Sequence, residues 1–100
     1  MTREEILSKA LRHYGIKPQM IQAVEELGEL IQAIAKLVNE RGTVENLAEE
    51  IADVRIMLDQ IEMALMLEEQ THRIEGEKLV RLARRMDDDK GAVSHGMRMH

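Results

Sequence analysis

Two apolar ladders run through the chain and leave little room for any architecture but helices. Met20, Val24, Leu27, Ile31, Ile34 and Val38 step alternately by four and three, and Leu47, Ile51, Val54, Leu58, Ile61 and Leu65 repeat that rhythm. Such spacing stacks side chains on one face of a helix, whereas a half-buried strand needs strict alternation. No convincing alternating run occurs in the sequence, so the expected fold class is all-α. Arg41-Gly42-Thr43 separates the ladders and suits only a tight turn. Helices from about Pro18 to Glu40 and from Val44 are therefore expected to pair as a long antiparallel hairpin, each ladder forming a seam.

The flanking segments extend this pattern. Thr2 with Glu5 matches a capping box, and Ile6, Ala10 and Leu11 follow at helical spacing. Gly15 suits a left-handed C-terminal position, Pro18 the first turn of the next helix, and Thr43 the N-cap of the third. From Ile56 to Leu67 the third helix is apolar nearly all round, with Ile56 and Met63 roughly opposite Leu58 and Ile61. Two apolar faces call for two packing partners. A second subunit is expected on the extra face, the chain's own fourth helix being the alternative. That fourth helix is expected from about Arg73 to Asp88, with Ile74, Leu79, Leu82 and Met86 inward and Gly76 weakening its first turn. Residues 1–90 thus read as one domain and 91–100 as a loose tail. A chain of 100 residues buries a limited share of its surface, so a homodimer or homotetramer is expected to complete the bundle.

Composition removes several functions. Nineteen acids against fourteen Lys and Arg give a net charge of -5, which disfavours a binder of nucleic acid polymers. Without cysteine there is no thiolate metal site, disulfide or Cys nucleophile, and Tyr14 as sole aromatic residue provides no stacking platform. No run is long and apolar enough for a membrane span, and the N-terminus lacks a basic head before an apolar run. The expectation is a soluble, cytoplasmic protein.

The charge is unevenly placed. Between Glu25 and Asp53 lie eight acids and only two cations, Lys36 and Arg41. Glu26 and Glu29 are three apart on the second helix, and Glu50 and Asp53 three apart on the third, so each pair projects from one face. Glu26 falls about 120° from its ladder, at the azimuth of Ala33 and near Leu30 and Leu37, bordering a second apolar stripe. Partly desolvated carboxylates repel unless protons, basic groups or a cation compensate. Oxygen donors alone suit a hard divalent ion such as Mg²⁺ or Mn²⁺.

Glu25-Glu26-Leu27-Gly28-Glu29 and, twenty residues later, Glu50-Ile51-Ala52-Asp53 resemble the EExxE…ExxD signature of the MazG-like all-α nucleoside triphosphate pyrophosphohydrolases. The resemblance covers about Gln19 to Leu65 and, more weakly, the fourth helix. It implies Mg²⁺-dependent hydrolysis of a (deoxy)nucleoside triphosphate to the monophosphate and pyrophosphate, with Mg²⁺ held by Glu26, Glu29, Glu50 and Asp53. A carboxylate cage carrying a divalent ion binds triphosphate oxygens and acidifies a water for attack on phosphorus. Glu25 and Glu49 are the candidates for orienting that water. Lys78, Arg81 and Arg85, with Arg84 beside them, resemble the basic residues of the family's later helix and are candidates for contacting the triphosphate. The Asn common there is replaced by Leu82. Gln22, one turn before Glu26, is the leading candidate for the nucleoside, with Tyr14 and Asn46 as weaker ones.

Two other classes compete. A non-enzymatic, oligomeric helical interaction module with acidic rims accounts for the ladders and the charge, but not for acids bordering apolar stripes in two spaced pairs. A di-iron bundle requires two Glu-x-x-His motifs, and only Glu69-Gln70-Thr71-His72 is present. The basic helix, flanked by acids, also makes a poor DNA-recognition helix.

Overall fold

A computed structural model describes residues 1–91; the expected tail from Ala92 to His100, with His95 and His100, lies outside the described residues. Among the described residues the protein is all-α, with helices α1 (Arg3–Tyr14), α2 (Ile16–Val38), α3 (Val44–Leu65) and α4 (Glu68–Asp88), then a short 3-10 turn over Asp89–Gly91. The chain divides into two compact units, Met1–Leu67 and a second beginning at Glu68, each described by itself below.

The helix boundaries follow from local chemistry. Thr2 Oγ1 accepts the Glu5 amide at 3.1 Å and donates to Glu5 Oε1 at 3.2 Å, so an amide at the start of α1 is satisfied before the first full turn. Gly15 ends α1 with φ 94° and ψ 156°. This is the extended, positive-φ region open essentially to glycine, in place of the left-handed helical conformation expected. The reason is economy of length: Gly15 is the whole connection, and α2 starts at Ile16, two residues earlier than expected. Pro18 then sits in the first turn of α2, where a missing N–H leaves no helical hydrogen bond unmade.

α2 stops at Val38, two residues short of expectation, because Glu40 turns left-handed at φ 60°. The Arg41 and Gly42 amides fold back onto the Lys36 carbonyl at 2.8 and 3.2 Å. Gly42 serves close approach: a Cβ there would stand 3.1 Å from both the Leu37 nitrogen and the Lys36 Cβ. Thr43 Oγ1 accepts the Asn46 amide at 3.0 Å and caps α3 as expected. Met66, left-handed at φ 56°, ends α3. α4 therefore begins five residues before the expected Arg73, with Glu68 and Glu69 at the positive end of its dipole and Gly76 inside it.

The packing of the first unit departs from the ladders. α2 and α3 pack on each other, with α1 against both. The α2 face in use is the ladder moved by one residue: Gln19, Ala23, Glu26, Leu30, Ala33 and Leu37, which keep the same four-three step. Ala23 and Ala33 are buried, whereas every member of the α2 ladder is exposed, Val24 at 69 % and Ile31 at 67 %. On α3 the buried residues are Val54, Met57 and Gln60, and Ile51, Leu58 and Leu65 of its ladder remain exposed. Small residues decide this choice. Alanines let two helix backbones approach, while a row of isoleucines and valines holds them apart.

Part of the Ile56/Met63 face of α3 has a neighbour within the chain, while Ile56 itself remains exposed. Met63 lines a shallow groove with Met1, Thr2, Ser8 and Arg12 of the N-terminal segment, and Asp59 on the same face meets Arg3 at 2.9 Å. That neighbour is α1, whose Leu7 is buried. In the second unit, α4 has no buried residue: Leu79, Leu82 and Met86, expected inward, are exposed, and Ile74 is half-buried. A helix cannot enclose its own apolar stripe, so this face stays open within α4 itself.

Candidate metal centre

Because the seam of α2 is offset by one residue from the ladder, a carboxylate falls where an ordinary helix pair would place an apolar side chain. Glu26 sits on that seam between Ala23 and Leu30, and Glu50 occupies the facing surface of α3, three residues before Asp53. Both are half-buried, while Glu29, one turn beyond Glu26, is exposed. One carboxylate oxygen from each of Glu26, Glu29 and Glu50 lies within 4.8 Å of the others.

The hydrogen bonding leaves this cluster incomplete. Gln22 Nε2 donates to Glu26 Oε1 at 2.9 Å. Oε2 of Glu26 and Oε2 of Glu50 are both shut off from solvent and have no hydrogen-bond partner. Among the described residues, the ion pairs join Arg3 to Asp59, Arg73 to Glu77 and Lys90 to Asp87; none reaches the cluster. Two orphaned carboxylate oxygens from facing helices cost free energy, since each has lost water and gained nothing. The Gln22 hydrogen bond pulls the Glu26 carboxyl down. Burial and the charges of Glu29 and Asp53 together outweigh it, and the carboxyl lies above its ordinary range.

An all-oxygen donor set of this kind fits a hard divalent cation. Glu26 and Glu50, each with one orphaned oxygen, are the carboxylates that would hold such an ion, and Glu29 would close the group. Asp53, the fourth expected ligand, is exposed and stands outside the three-oxygen group, although its charge acts on Glu26. Glu25 and Glu49 are exposed on other parts of their helices and do not join the group. Gln22 hydrogen-bonds a member of the cluster, which makes it a support for Glu26.

Lys78, Arg81 and Arg85 are exposed and line one open groove of α4 with Glu75, Leu79 and Leu82. Of the weaker nucleoside candidates, Tyr14 is exposed and meets His13 edge to face, with ring centroids 4.6 Å apart. The Asn46 amide is engaged by the Thr43 cap.

One polar pair escaped the sequence reading. Gln19 Nε2 donates to Gln60 Oε1 at 2.7 Å, and Gln60 is only 3 % exposed. Its signal was the lone amide of the Ile56–Leu67 stretch, whose other polar residues are Asp59 and Glu62, with Gln19 one heptad before Glu26. Among the described residues no helix is long and apolar enough to cross a membrane. Comparison of the chain with protein families, curated proteins and solved structures gives no match in any of the three.

Proposed function

We propose that the protein is a Mg²⁺-dependent nucleoside triphosphate pyrophosphohydrolase of the MazG-like kind, built on an antiparallel α2–α3 hairpin and completed by self-association. The observation that carries this reading is the pair of orphaned oxygens, Glu26 Oε2 and Glu50 Oε2, within a three-carboxylate group that lacks a basic partner among the described residues. A bound Mg²⁺ or Mn²⁺ supplies positive charge to triphosphate oxygens and makes water a better nucleophile at neutral pH. The chain's own work is to hold the ion and the substrate. Glu26, Glu29 and Glu50 are the ligands, with Asp53 as a fourth, and Gln22 fixes the rotamer of Glu26 through their hydrogen bond. Glu25 and Glu49 are assigned to orienting water, and Lys78, Arg81 and Arg85 to the charge of the triphosphate, on the strength of the motif resemblance.

The exposed ladders support the self-association in this reading. Among the described residues the buried apolar set is Leu7, Ala23, Ala33, Val54 and Met57, a small core for four helices. The whole α2 ladder and Ile51, Leu58 and Leu65 of the α3 ladder are exposed, and apolar surface of this kind marks an interface. The same observation favours the second reading, an oligomeric helical interaction module, which leaves the orphaned carboxylates unexplained.

Pyrophosphate release over a panel of ordinary and modified ribo- and deoxyribonucleoside triphosphates, with Mg²⁺, tests the proposal. Release of monophosphate and pyrophosphate in equal amounts from at least one substrate is the expected result. Silence across the panel favours the interaction module.

A further inference from the structure

The interface between α2 and α3 contains a polar pair with no place in the chemistry above. Gln19 and Gln60 share a 2.7 Å hydrogen bond across the helices, and Gln60 is the buried polar side chain of the described residues. Leucines at both positions would fill the space without desolvating amides, so packing free energy alone does not favour glutamine. A buried amide pair favours one alignment instead, because a shifted helix leaves both amides without partners.

The numbering shows which alignment that is. Gln19 precedes Glu26 by seven residues and Gln60 follows Asp53 by seven, so the amides and the acids belong to one register. The amides stand two turns from Glu26 and Asp53 and nearly three from Glu50, about 10–15 Å along the axis. The other end of the helix pair is held by the turn in which Arg41 and Gly42 return to the Lys36 carbonyl. The carboxylates lie between these two fastenings. Sliding one helix by a single turn would move its carboxylates about 5 Å, as far as the 4.8 Å span that encloses the three oxygens. Arg3–Asp59 also sits near the open end, but both side chains are about half exposed, and such pairs hold alignment poorly in water.

We propose that Gln19–Gln60 is a register lock, a positioning pair that keeps the open end of α2–α3 aligned so that Glu26 and Glu29 meet Glu50. Its consequence for the ion rests on the metal reading above; the alignment itself does not.

The test separates the two. The chain has no cysteine, so nitroxide labels at Lys17→Cys and Arg55→Cys, both exposed and outside the cluster, report the α2–α3 distance by pulsed electron resonance in label-diluted oligomer. In the Gln19→Leu/Gln60→Leu background the melting temperature is expected to hold or rise. The distance distribution is expected to broaden or move by about one helical turn, ~5 Å. Mn²⁺ affinity, read by calorimetry on the unlabelled full chain, falls on the order of tenfold or more. Gln19→Ala, in a partly exposed first turn, removes the same bond if the double variant aggregates; it lowers the melting temperature by stranding the buried Gln60 amide, and gives the same distance and Mn²⁺ readouts. An unchanged distance distribution overturns the lock. A changed distribution with unchanged Mn²⁺ affinity overturns its positioning role. If the parent protein binds no Mn²⁺, the metal reading falls, and the distance measurement still decides the lock.

Discussion

Glu26 occupies a seam position that a plain helix pair would give to leucine, and its carboxyl answers for that placement. The Gln22 hydrogen bond lowers its proton affinity, yet burial and the neighbouring acids win and raise it. A folded state that binds this proton more tightly than the unfolded chain gains stability from it only while the proton is bound. The contribution is complete below the ordinary glutamate value of about 4.3 and disappears as pH rises through the higher folded value. In chelator, the melting temperature of the wild-type protein is therefore expected to fall over that interval, and Glu26→Gln to lack this component. Parallel pH curves for the two proteins would contradict the assignment. With metal and substrate present, Glu26→Gln, Glu50→Gln and Asp53→Asn are each expected to remove turnover while leaving circular dichroism and assembly unchanged. Full activity in all three would refute the site.

The helices were largely legible in the sequence, their faces less so. Thr2 and Thr43 announce two helix starts, and replacing either by alanine is expected to cost about 1 kcal/mol in denaturant melts. Ends were harder to see, because two of them depend on non-glycine residues in left-handed backbone, Glu40 and Met66. Neither carries the glycine that marks such a turn in sequence. Glu40→Gly and Met66→Gly are each expected to stabilise the protein by about 1 kcal/mol, whereas Gly42→Ala forces its Cβ against Lys36 and Leu37 and lowers stability. The packed face differs from the expected one for a physical reason. Large β-branched residues give the strongest periodic signal, but Ala23 and Ala33 allow closer packing, so the quieter stripe one residue away forms the contact. That stripe contains Glu26, whose place beside Ala33, Leu30 and Leu37 was legible from its azimuth, although the stripe's role as the α2–α3 contact was not.

At the scale of the molecule, the misplaced ladders become the argument for assembly. A chain that leaves Val24, Ile31, Leu58 and Leu65 exposed has an apolar surface to cover, and a second copy brings the same surface to it. Sedimentation is expected to give a dimer or tetramer, with Ile31→Glu shifting it toward monomer; a wild-type monomer at tens of micromolar would remove the assembly claim. The net charge of -5 acquires a location in the same way. Its excess lies on α2, α3 and the turn between them, where two carboxylate oxygens shut off from solvent lack a hydrogen-bond partner. Thermal melts in chelator and with saturating Mg²⁺ or Mn²⁺ address that claim most directly. A cation at a hundred times its dissociation constant adds about 2.7 kcal/mol, which for a domain of this size raises the melting temperature by on the order of 10 °C. The rise is expected in the wild-type protein and absent in Glu26→Gln, Glu50→Gln and Asp53→Asn. No rise in the wild type, or an equal rise in all four proteins, would contradict a divalent-cation centre on this helix pair.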